Sequence, residues 1–136
     1  MTFFDPEITN FPKKSPKITS HHAKNRAVQN ELALTDALYR IGPAAVSIDA
    51  GQSGFHFYEG GVYYDTNCER EHTSHAVFAT GYGLSHINDK FSLPYYIVKN
   101  SWGTSWGNDG YINMARNQNS MCAIAKSVKW PNLVQD

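Results

Sequence analysis

Downstream of Pro43 the apolar residues fall at every second position, in short runs cut off by turn-forming residues. That period belongs to a pleated strand, whose side chains alternate between two faces, and it excludes a helical bundle for this part of the chain. Val46 and Ile48 mark the first run, Ala45 to Asp49, and further runs cover Gly61 to Tyr64, His75 to Tyr82, Tyr95 to Lys99, Gly110 to Ala115 and Ala123 to Trp130. Several short strands at this spacing predict an antiparallel sheet curled into a barrel-like unit. An aromatic content of 13%, with eight tyrosines and ten glycines, suits strands and turns. Only one stretch has helical spacing: Leu34, Leu38 and Ile41 recur between Asn30, placed to cap the start, and Gly42-Pro43, which stops the run. The expected class is therefore α+β, mainly antiparallel β with one short helix.

Residues 1–29 carry Pro6, Pro12 and Pro16, a Lys13-Lys14 pair and His21-His22 without either period, and read as an irregular segment with at most one short strand. Residues 30–136 then form the folded domain, and 136 residues suit a single such unit. Twelve basic residues balance twelve acidic ones, which leaves no electrostatic footprint for nucleic acid or an anionic membrane. No run approaches the 18 apolar residues of a membrane span. Met1 to Pro6 lacks the basic start and apolar stretch of a secretory signal. The two cysteines, Cys68 and Cys122, leave three readings open: a disulfide, a shared metal site or two free thiols.

Few residues could carry chemistry. His75 opens the apolar strand Ala76-Val77-Phe78-Ala79, where a side chain is both rigidly held and reachable from outside. An imidazole titrates near pH 6.5, which suits general acid or base work at neutral pH. Taken alone, His75 reads more readily as a surface or partly buried histidine without a role. Further on, three glycines and two tryptophans lie between Asn100 and Tyr111, a composition for a turn in which backbone passes close under large rings. Asn100 ends the run Ile97-Val98-Lys99 and offers a carbonyl that could accept an imidazole N–H and fix its tautomer.

Together the strings Ser74-His75-Ala76-Val77, Gly81-Tyr82-Gly83, Tyr96-Ile97-Val98-Lys99-Asn100-Ser101-Trp102-Gly103, Trp106-Gly107, Gly110-Tyr111 and Cys122-Ala123-Ile124-Ala125 resemble the second half of a papain-like cysteine peptidase, nearest the cathepsin L branch. Ile41-Gly42-Pro43, Val46 to Ala50, Phe57-Tyr58 and Gly61-Val62-Tyr63 match the same branch in order, so that the likeness covers about residues 30 to 131. It implies the barrel-like C-terminal half of a papain-like fold and a Cys–His–Asn arrangement. By resemblance His75 is the catalytic histidine, Asn100 its orienting partner and Trp102 the ring that keeps water from their hydrogen bond. Thr73, Ala76 and Ser127 fall where the family lines its main specificity pocket. The substrate would be a peptide or protein, the compartment lysosomal or secreted. This chemistry needs no metal and no cofactor.

The departure from the family is the nucleophile. A Cys-Gly-Ser-Cys-Trp type signature at the start of a long helix, and the oxyanion glutamine before it, are not present here, and neither Cys68 nor Cys122 sits in such a setting. The resemblance instead pairs Cys68 with Cys122. A zinc set of Cys68, His72, His75 and Cys122 has acceptable ligand types but would leave the Asn-Ser-Trp-Gly region unexplained. His21-His22, His56 and His86 read as ordinary polar residues. Two functions stay open: the C-terminal portion of an endopeptidase, inactive alone and needing an N-terminal half in cis or as a partner chain, or a non-catalytic peptide-binding or regulatory relic of the fold. The first expects an apolar cleft face here that associates readily.

Overall fold

A computed structural model of the chain describes residues 26–130, with side chains from residue 30 onward. The irregular segment expected over residues 1–29 therefore lies outside the described residues up to residue 25. Helix α1 (Arg26–Arg40) begins at Arg26 rather than at Asn30. Asn30 sits inside the helix and does not cap it. Arg, Ala and Gln are good helix formers, so propensity carries the helix upstream of its first apolar contact. Its far end is where the sequence puts it: the N–H groups of Ile41 and Gly42 converge on the Ala37 carbonyl at 2.8 and 3.1 Å, with Gly42 at φ +127°.

Strand β1 (Ala44–Ile48) follows, then a single helical turn, α2 (Ser53–His56), which is too short to leave a period in the sequence. The remaining strands are β2 (Val62–Tyr63), β3 (His75–Asn88), β4 (Phe91–Lys99), β5 (Tyr111–Ala115) and β6 (Val128–Lys129). They form one sheet in the order β2-β5-β4-β3-β1-β6. Its pairs are antiparallel except β2 with β5, which run parallel. The parallel pair makes the sheet mixed, and the end strands β2 and β6 do not pair, so it is open.

Two strands outrun their sequence signal. β3 continues to Asn88 and β4 starts at Phe91, forming a hairpin with Leu84 opposite Pro94. Proline has no N–H, so the pattern stops the strand before Tyr95; β5 reaches only to Tyr95, and at Pro94 the ladder needs no donor on that side. The reverse holds at the C-terminal end. Ala123 to Trp130 is read as a strand, but only Val128–Lys129 pairs, because Met121–Ala123 form a 3-10 turn with Cys122 and Ala123 at φ +54° and +61°.

The core lies between α1 and the inward face of the sheet. Leu34 and Leu38 belong to one buried cluster with Val46, Ile48, Val77, Ala79, Tyr96, Val98, Ile112 and Met114. β3 carries one extra residue at Thr80, between the pairs Ala79↔Val98 and Gly81↔Ile97. This bulge changes the phase, so that Val77 and Ala79 face inward before it and Tyr82 after it. Buried Glu31 on α1 ties the layers together: its carboxylate accepts Tyr96 O–H at 3.0 Å, Asn117 N–H at 2.8 Å and Ser120 N–H at 3.0 Å. Burial and the neighbouring Glu31 charge raise the Tyr96 pKa well above the ordinary phenol value.

Candidate active site

The register of the sheet decides which side chains can meet. His75 is the first residue of β3 and pairs with Ile48 of β1. On the other side, Phe78 pairs with Lys99, so the chain leaving β4 passes the mouth of β3. Asn100 is the next residue, held by its N–H on the Gly110 carbonyl at 3.0 Å. Its side chain reaches back to β3, and Asn100 Oδ1 lies 2.8 Å from His75 Nε2.

That contact has a defined polarity. Asn100 Oδ1 also accepts the Ser101 backbone N–H at 2.7 Å, which identifies it as the carbonyl oxygen of the amide. Nε2 must then carry the proton and donate. In the neutral ring Nδ1 is left with its lone pair, and among the described residues it has no hydrogen-bond partner. Asn100 Nδ2 is buried without a partner among the described residues, a cost of about 1–3 kcal/mol that the fold accepts at this position.

Trp102 stacks on the histidine, ring centroids 5.1 Å apart at 27°. It belongs to an aromatic cluster: Phe55 and Trp106 meet it edge-on at 5.5 and 5.3 Å, and the His56 ring lies 4.9 Å away at 30°. Trp106 donates its Nε1–H to the His56 carbonyl at 2.9 Å, which fixes α2 against the glycine-rich turn. Gly107 makes that turn possible. It sits at φ +61°, and a Cβ there would fall 2.6 Å from the Tyr111 carbonyl oxygen.

Cys68 and Cys122 form a disulfide, Cα atoms 5.0 Å apart across 54 residues of sequence. Both thiols of the chain are thereby consumed, which removes the zinc alternative. Among the described residues no cluster of metal-ligating side chains remains. The bridge anchors the loop running from Cys68 into His75. Asp49 anchors it again: its carboxylate accepts the N–H groups of Gly51 at 3.0 Å and Glu69 at 2.7 Å. Burial pushes the Asp49 pKa up, but those two N–H groups and the side chains of Gln52 and Ser74 outweigh it and hold the carboxyl below its ordinary value.

Thr73, Ala76 and Ser127 are all exposed. The sheet brings the last two to either side of one residue, because Ser47 pairs with Ala76 and donates its N–H to the Ser127 carbonyl at 3.3 Å. Lys126 braces the same edge, its Nζ 2.6 Å from both the Glu71 carbonyl and its carboxylate. A separate groove of about 590 Å³, lined by residues including Thr80, Tyr95, Ile97 and Asn113, does not include His75 or Asn100. His56, read from the sequence as an ordinary polar residue, lies against this cluster. A lone histidine in a four-residue turn carries no period, and only the fold brings it to Trp102.

The site is thus a histidine held by a neutral amide under an indole, and the comparisons give the family. The model of the papain family cysteine proteases matches residues 7–132, so the likeness starts well upstream of residue 30. The chain belongs to that family. It is 47% identical over 106 residues to cathepsin K of Mus musculus, covering 78% of this chain and 31% of that protein. With digestive cysteine proteinase 2 of Homarus americanus it shares 43% over 121 residues, covering 89% of this chain and 36% of the relative. Among solved structures, digestive procathepsin L 3 of the Tenebrio molitor larval midgut superposes with a TM-score of 0.68 at 40% identity, over 76% of this chain and 32% of that one. The chain thus spans about a third of the length of the curated relatives it matches.

Proposed function

We propose that this chain supplies the histidine and asparagine of a papain-type peptidase site, and that peptide-bond cleavage uses a cysteine from a further stretch of polypeptide, in the same chain or in a partner. One observation carries this reading: the 2.8 Å contact of His75 Nε2 with an Asn100 oxygen whose acceptor role is fixed independently by Ser101. With Nε2–H engaged, Nδ1 is the atom that takes the thiol proton, stabilises the thiolate as an imidazolium, and returns the proton to the leaving amine. The neutral amide orients the ring without adding a charge. Trp102 limits the water that competes for the hydrogen bond.

Thr73, Ala76 and Ser127 line the substrate pocket in this reading, supported by their exposure and by the strand pairing that sets Ala76 and Ser127 about Ser47. The disulfide favours an oxidising compartment of the lysosomal or secreted kind. The substrate is a peptide or protein.

The test is reconstitution. The full chain is refolded with a nucleophile-bearing N-terminal half from a papain-family relative and assayed on a fluorogenic peptide. Turnover that falls by roughly 10² to 10⁴ in His75→Ala, and by less in Asn100→Ala, supports the reading. Turnover indifferent to His75 overturns it. A second reading, a non-catalytic peptide binder of the same fold, is favoured by one observation: both cysteines are locked in the disulfide, so this chain has no free thiol. Peptide binding by the chain without turnover in any such pairing would select it.

A further inference from the structure

We infer that His56 gives this site a preference for substrates with an acidic side chain on the first residue of the departing peptide, an inference that rests on the reading of His75 above. The departing amine takes its proton from His75, so its first residue leaves across the surface adjoining that ring. On the described residues that surface is Trp102, stacked on His75 at 5.1 Å. The same indole carries a second imidazole: the His56 ring lies 4.9 Å from it, tilted by 30°.

His56 is exposed, yet its backbone is held. Its carbonyl accepts Trp106 Nε1–H at 2.9 Å, its N–H donates to the Gln52 carbonyl at 3.3 Å, and the preceding Phe55 is fully buried. Among the described residues the ring itself has no hydrogen bond and no ion pair. The ring packs on Trp102, which itself meets Phe55 and Trp106 edge-on, and the next residue on its own segment, Phe57, is 82% exposed. The titratable group that shares this contact set is His75, across Trp102. Among the described residues no carboxylate forms a hydrogen bond or ion pair with either imidazole.

The sign of the selectivity follows. An imidazole changes charge between about pH 5 and 8 and, when charged, donates a charge-assisted hydrogen bond to a carboxylate. Two imidazoles on one indole, with no acid between them, attract a negative side chain and repel a positive one. An exposed pair of this kind supports a preference of about two- to fivefold.

The experiment uses the reconstituted full chain and peptides that differ only in the first residue after the cleaved bond: Asp, Glu, Leu or Lys. Ratios of kcat/KM are read at pH 5 and 7.5, with an aminocoumarin substrate, which has no such residue, reporting that wild-type complex is active. The expected result is Asp or Glu over Lys by about two- to fivefold at pH 5, less at pH 7.5 and less in high salt. His56→Leu removes the preference, and His56→Glu reverses it toward Lys, an inversion that a merely structural role would not produce. Aminocoumarin turnover with no acidic preference, or a preference that survives His56→Leu, overturns this inference alone. Absence of turnover on every substrate overturns the reading of His75 and this inference with it.

Discussion

Truncating Trp102 separates a packing role from a chemical one at the same site. Removing a fully buried large aromatic side chain costs about 3–5 kcal/mol. Trp102 keeps 37% of its surface exposed, and with about two thirds of the ring's contribution at stake the expected loss for Trp102→Ala is roughly 2–3 kcal/mol. The loss comes from its contacts with Phe55, Trp106, His56 and His75. His75→Ala forfeits one hydrogen bond, and the Asn100 oxygen it leaves behind still accepts Ser101 N–H, so about 1 kcal/mol or less is expected. Urea unfolding of the full chain, followed by far-ultraviolet circular dichroism because a tryptophan is lost, reads both. With slopes of about 1–3 kcal/mol per molar, the Trp102→Ala midpoint should fall by roughly 1–2 M and the His75→Ala midpoint by less than half of that. Equal midpoints for the two variants would refute the division of roles, as would a Trp102→Ala loss of less than about 0.5 kcal/mol, within the usual range of surface substitutions.

Three further outcomes are expected. Glu31→Gln replaces one carboxylate oxygen by an NH2 group that can only donate, facing Ser120 N–H or the Tyr96 and Asn117 donors; a loss of about 2–3 kcal/mol is expected in the same unfolding assay, and Tyr96→Phe in the Glu31→Gln background should cost less than in wild type. Because the folded Asp49 pKa is depressed, its contribution is present above the unfolded carboxyl value near pH 3.9 and is lost as the pH falls through the folded value; the stability gap between wild type and Asp49→Asn should therefore close below about pH 4 and stay constant from pH 5 to 7. Replacing both Cys68 and Cys122 by serine releases a loop whose closure is worth about 4 kcal/mol in the chain-entropy model, and a midpoint unchanged from wild type would show that the bridge contributes nothing.

The period-2 runs made the β3–β4–β5 core readable because along each of those strands fully buried residues alternate with less buried ones. Where a different force sets the backbone, the pattern failed. The disulfide and the positive φ angles at Cys122 and Ala123 turn an apolar run into a 3-10 turn, and Pro94 breaks the sequence signal at a position where the sheet needs no N–H. Parallel pairing of β2 with β5 leaves no local trace, since two residues cannot specify direction. At the site, His75 and Asn100 stood out as strand-end residues beside turn residues, but only the family resemblance attached roles to them. Their distance, the acceptor role of the Asn100 oxygen, and the arrival of His56 at Trp102 all depend on strand register and on a turn built by Gly107, which a one-dimensional pattern does not encode.

The bulge at Thr80 resets the register between the two stretches of β3. Because the phase is reset there, lengthening or shortening the hairpin tip between Leu84 and Ser92 leaves the pairing of Val77, Ala76 and His75 with β1 untouched. On the proximal side, by contrast, a single inserted residue would rotate the imidazole away from its amide.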